Sequence, residues 1–225
     1  MKKILVICLT LVMLVSMSLT AFAAPSGFVS SPSASDGPEV VEFEPSNEDC
    51  DAELVITPYA DREELSDAIQ TLFEKAYNEI VKSGDITKLN AEFAKHVAGL
   101  NIDPKKLAVS DLFDIHATGC DYHDGHYDFD ITLSADLLKH FVGLLHMNSK
   151  GEWEFVADAK VTSNNEHLKF SVEGFSPFAI VIDTTKPGAG PETGDNSNAP
   201  VYAVIMFVSA TALAVIIIMS RKHKA

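Results

Sequence analysis

Nineteen consecutive residues without a charge, Val201 to Met219, set the first limit on what this chain can fold into. At ~1.5 Å rise per residue a helix of that length comes close to the ~30 Å hydrocarbon core of a bilayer. Arg221, Lys222 and Lys224 follow it, and basic residues beside a span stay on the cytoplasmic side, which puts the preceding chain outside. The other end is constrained in a similar way. Lys2-Lys3 leads into an apolar run from Ile4 to Val15, then Ser16, Ser18 and Thr20, then the small residues of Ala21-Phe22-Ala23. That is the three-part layout of a secretory signal, and signal peptidase is expected to cut between Ala23 and Ala24.

The expected organisation is therefore a signal peptide (1–23), a leader (24–38), an extracellular domain (39–184), a linker (185–200), a transmembrane helix (201–219) and a cytoplasmic basic tail (220–225). Five of the 17 basic residues sit in the two ends, leaving twelve against all 32 acidic ones, so the exported part carries a net charge of about −20. Such a charge repels nucleic acid and anionic headgroups, and no nucleic-acid partner is expected. The acidic residues are scattered without a like-charge block, as on a solvated exterior.

Within the exported part, Ser26, Ser30, Ser31, Ser33 and Ser35 with three prolines make residues 25–38 polar and rich in breakers, so this leader is expected to be disordered. Ala52 to Thr57 is a short β-prone run ended by Pro58. A helical part over 61–99 follows. Leu65, Ile69, Leu72, Phe73, Ala76, Tyr77 and Ile80 keep a 3.6-residue period, with Asp61 and Glu64 as the expected capping pair and Gly84 as the C-cap. Leu89, Phe93 and Val97 mark a second helix ending at Gly99. After Pro104 the period changes to two, through Leu112–Ile115, Tyr127–Leu133, Phe141–Met147, Trp153–Val156, Leu168–Val172 and Phe178–Ile182. The β part over 105–184 then reads as a small antiparallel sandwich or open barrel. The fold class is α+β, a helical hairpin packed against or preceding that β-sandwich.

The stretch Pro191-Glu192-Thr193-Gly194, then the apolar span, then the basic tail resembles the C-terminal sorting signals of Gram-positive surface proteins, with Gly190 where the commonest form has Leu. The resemblance implies a sortase-like transpeptidase as partner. Its cysteine thiolate would attack the Thr193 carbonyl, release the chain from Gly194 onward and pass the acyl group to an amine of the cell-wall peptidoglycan. The Pro- and Gly-rich residues 186–198 supply the flexible strand that such a cleft needs. Gly151-Glu152-Trp153 followed by Phe175-Ser176-Pro177-Phe178-Ala179 is similar to the closing strands of small β-domains in Gram-positive surface proteins. That likeness implies an adhesion or spacer module with an unknown extracellular ligand and no catalytic residues.

The Gly-x-Ser-x-Gly elbow, the Walker loop, the Gly-x-Gly-x-x-Gly fingerprint and His-Glu-x-x-His are all missing. Asp121, Asp124 and Gly125 do not have the acidic spacing of a calcium loop. One cluster has metal-binding chemistry: His116, Cys120, His123 and His126 lie within eleven residues, and zinc is the cofactor they would take. Against that, structural zinc sites draw on two separated pairs, and a polar connection naturally exposes such residues. Cys8 leaves with the signal, so Cys50 and Cys120 form an even pair outside the cell and favour a disulfide over two free thiols. Two functions follow as expectations. The first is a non-catalytic surface module for adhesion, binding or spacing, with no cofactor; the second is a metal-binding protein or metal-dependent hydrolase using the histidine cluster.

Overall fold

The alternating residues sort into nine strands and two helices among the described residues of the computed structural model, which are 24–45, 53–118, 129–172, 174 and 177–186. The strands are β1 (Glu39–Pro45), β2 (Glu53–Pro58), β3 (Leu107–Thr118), β4 (Phe129–Ser134), β5 (Phe141–Met147), β6 (Trp153–Phe155), β7 (Lys160–Val161), β8 (His167–Val172) and β9 (Pro177–Asp183). The helices are α1 (Asp67–Ser83) and α2 (Ala91–Leu100). Antiparallel ladders build a four-stranded sheet in the order β1-β4-β8-β7 and a five-stranded sheet in the order β2-β3-β9-β5-β6. The chain is thus α+β, with two sheets in a sandwich-like arrangement and short helices.

Side-chain parity explains the layers. In β8, Leu168, Phe170 and Val172 are buried and Lys169 and Ser171 exposed, so one face meets the core and the other meets water. Every residue of β9 is buried because both its faces are covered. Phe178, Ile180 and Ile182 face the four-stranded sheet and pack with Ile131, Leu133 and Phe170, while Ala179 and Val181 pack with Phe73, Ile80, Phe93 and Val97 of the helices. The five-stranded sheet is therefore the middle layer. Gly143 of β5 makes room for α2, since a Cβ there would meet the Phe93 ring at 2.7 Å.

Several local expectations are corrected. Asp61 and Glu64 do not cap α1; they lie in a 3-10 turn, Tyr59–Glu64, and Ser66 holds the N-cap position. Arg62 stabilises that turn, its Nε 2.7 Å from Glu74 Oε1 and its guanidinium 4.3 Å above the Tyr59 ring. Gly84 closes α1 as expected, with φ of 60°. Gly99 lies inside α2; Asn101 closes that helix at φ 56°, and Asn90 opens it by accepting from the Glu92 and Phe93 amides. The helices are not a plain hairpin: a 3-10 turn, Ile86–Leu89, joins them.

The leader is corrected too. Phe28 is 6% exposed and stacks on Tyr77 with ring centroids 5.5 Å apart, and Val29 is buried against the sandwich core. The Val29 amide donates to the Val109 carbonyl at 2.9 Å and the Val109 amide to the Gly27 carbonyl at 2.8 Å, a parallel bridge on the edge of β3. Two apolar residues among serines and prolines carry no period, so only tertiary burial reveals them. Among the described residues no helix is long and apolar enough to cross a membrane, and the expected span at 201–219 lies outside them.

Candidate functional site

Of the residues expected to carry chemistry, His116 and Ala24 fall within the described structure. Cys50, Cys120, His123, His126, Ala21, Ala23 and Pro191-Glu192-Thr193-Gly194 lie outside the described residues. The strand registers show where the chain departs toward the first four. Glu53 pairs with Thr118 in the β2–β3 ladder, and Pro45 pairs with Phe129 in the β1–β4 ladder. Residues 46–52 and 119–128 therefore connect the same two pairs of strand ends. Cys50 stands three residues before Glu53 and Cys120 two residues after Thr118.

His116 belongs to a strand and not to a loop. It faces Val55 across the β2–β3 ladder and is half-buried. Its Nδ1 lies 3.2 Å from Oδ2 of Asp114, which has the same parity along β3 and is buried. Burial pushes the Asp114 pKa up to about 6, against the pull of the His116 hydrogen bond and charge. Oδ1 of Asp114 has no partner among the described residues. An imidazole whose Nδ1–H is held by a carboxylate presents Nε2 outward, the orientation found in carboxylate–histidine–metal sites.

Two further histidines were not legible as site candidates because both sit in or beside the apolar run of β5. His146 stacks on Phe178 at 4.5 Å, with Nδ1 3.5 Å from Glu154 Oε2; burial pushes its pKa down and Glu154 pushes it back up. It pairs with Phe178 and so points into the sandwich, whereas Asp114 and His116 alternate with Phe113 and Ile115 and point to the helical side. The two histidines stand on opposite faces of one sheet and do not converge. His140 is 3% exposed, and neither ring nitrogen has a partner among the described residues. Burial, then Lys139 and Lys186, lower its pKa, with Asp183 opposing.

The outer face of the four-stranded sheet forms an open groove of about 390 Å³. Its charges are interleaved and mutually engaged: Lys169 Nζ is 3.7 Å from Glu42 Oε2, Ser171 Oγ donates to Asp130 at 2.5 Å, and the Ser171 amide donates to Asp158 at 2.9 Å. That pattern is a solvated sheet face. Among the described residues no three His, Cys, Asp or Glu side chains are grouped to hold a metal ion. Compared with models of protein families, with curated proteins and with solved structures, the chain finds no match.

Proposed function

We propose that this chain is a non-catalytic surface module of a Gram-positive envelope, exported through its N-terminal signal and joined to the wall at Thr193. The observation that supports this reading is where the packed structure lies relative to the two processing signals. Packing begins at Phe28, four residues after Ala24, and the last strand ends at Asp183, eight residues before Pro191. The Thr184 amide and hydroxyl both donate to the Lys106 carbonyl at 2.8 Å, tying the final strand down before the linker. Neither cut would remove a core residue. Processing would leave the fold whole and the linker free to thread a transpeptidase cleft. In wall and membrane fractions of the expressing cell, Thr193→Ala is expected to shift the chain from wall to membrane. An unchanged distribution would leave a plain single-pass anchor.

One observation favours a second reading, capture of zinc by His116 with Cys120, His123 and His126. The buried Asp114 carboxylate holds His116 Nδ1, and so fixes the tautomer in which Nε2 can bind a metal. The first reading ranks above it because the ladder that sets Glu53 beside Thr118 supports a Cys50–Cys120 disulfide. A disulfide would deny Cys120 to the metal.

A further inference from the structure

The N-terminal segment crosses the sheet edge over a carboxylate that has too few partners. Asp111 is 7% exposed, at the bulge where the β3–β9 register shifts between Val109 and Asp111. It pairs with Ile180, so its side chain enters the sandwich. One oxygen meets the Ser35 hydroxyl of the segment at a long 3.4 Å, and that hydroxyl also accepts the Gly37 amide at 3.1 Å. The other oxygen, Oδ2, is buried without a partner among the described residues. Among the described residues, the charged group that acts on it is Asp136, just past β4, which carries the same sign. A buried carboxylate so placed is costly when ionised, because water is excluded and the neighbouring Ser35 and Ser110 hydroxyls supply no countercharge. Protonated, it gains a donor that can answer the oxygens around it.

We propose that residues 24–38 form a pH-gated strap, closed over β3 while Asp111 is protonated and released from the β3 edge as Asp111 ionises. The strap is held on the β3 edge by the paired bonds of Gly27 and Val29 to Val109 and by the burial of Phe28 and Val29, and Asp111 adds a pH-dependent part to that hold. Burial and Asp136 push the Asp111 pKa up to about 6, against the pull of Ser110 and Ser35. Opening lets water in and returns the group toward the ordinary ~3.9. The closed strap therefore binds more protons between those values. Closure is strongest below ~4, weakens as pH rises through ~6, and then levels off. Release would uncover the β3 edge at Val109 and the Tyr77 ring, a place where an extended strand of another chain can add.

Hydrogen exchange of the full-length chain tests the proposal, because the Val29 and Val109 amides both depend on the closed strap. Corrected for intrinsic rates, their protection is expected to fall roughly 10- to 100-fold between pH 4 and pH 7, while the amides of β9 hold theirs. Flat protection at Val29 and Val109, or a loss shared equally by β9, would overturn it. Asp111→Asn is expected to keep the strap closed at both pH values, and a wild-type pH dependence in that variant would also overturn it. Should Asp111→Asn fail to fold, Asp136→Asn decides: the midpoint moves to lower pH if the facing charge acts on Asp111, and an unmoved midpoint contradicts the mechanism.

Discussion

Asp183 and Asp111 lie on neighbouring strands and are almost equally buried, yet their surroundings push them in opposite directions. Burial alone would raise Asp183, but the Thr185 amide at 2.9 Å and the Thr185 hydroxyl at 2.7 Å overcome it, helped by Lys186 and His140. A carboxylate with a depressed pKa contributes stability above its unfolded value, and that stability is lost as pH falls through the folded one. Thr185→Val deletes the hydroxyl donor and is expected to cost about 1–2 kcal/mol at pH 7. The cost should shrink below about pH 4, as the unfolded chain's carboxyl becomes protonated. Urea denaturation of both forms at pH 7 and pH 3.5 measures it. An equal cost at both pH values would mean that the threonine acts through packing and not through Asp183.

At the scale of elements, the strap is the piece whose weight in the fold is most open to measurement. Phe28→Ala empties a site lined by Tyr77 and the rest of the helical core, and is expected to cost about 3 kcal/mol or more in urea denaturation at fixed pH. No loss would return residues 24–38 to the unpacked leader that their composition suggests. Strands with one wet face were legible: Leu168, Phe170 and Val172 announce β8 through simple alternation. β3 was legible only over Leu112–Ile115. Its bulge near Ser110 breaks the period of two, and the polar Asp111, Asp114 and His116 are buried or half-buried on a strand that the pattern makes look like a loop. The helical period located α1 but not its start, because Asp61 and Glu64 fall in a separate 3-10 turn that Arg62 pins to Glu74 and Tyr59. The candidate site was legible as far as His116. Asp114 beside it carries no spacing that marks it, and only the shared parity on β3 reveals the pair.

At the scale of the whole molecule, the proposed function turns on what fastens the sandwich and on whether the chain is joined to the wall. A Cys50–Cys120 bond would close a loop of 70 residues, for which the chain-entropy model gives ~4 kcal/mol, with ~2 kcal/mol more realistic once strain and residual structure in the unfolded chain are counted. Thiol titration of the air-oxidised mature protein is expected to find no free cysteine and no stoichiometric zinc. The Cys50→Ser, Cys120→Ser double variant should melt several degrees lower. Two free thiols with one equivalent of zinc, lost in His116→Ala, would promote the metal reading over the disulfide. The central claim, that the fold is cut at both ends and handed to the wall, comes down to one mass. Protein released from purified walls by a peptidoglycan-cleaving enzyme should show a chain that begins at Ala24 and ends at Thr193 bearing a wall fragment. A chain still running from Met1 to Ala225 would contradict it.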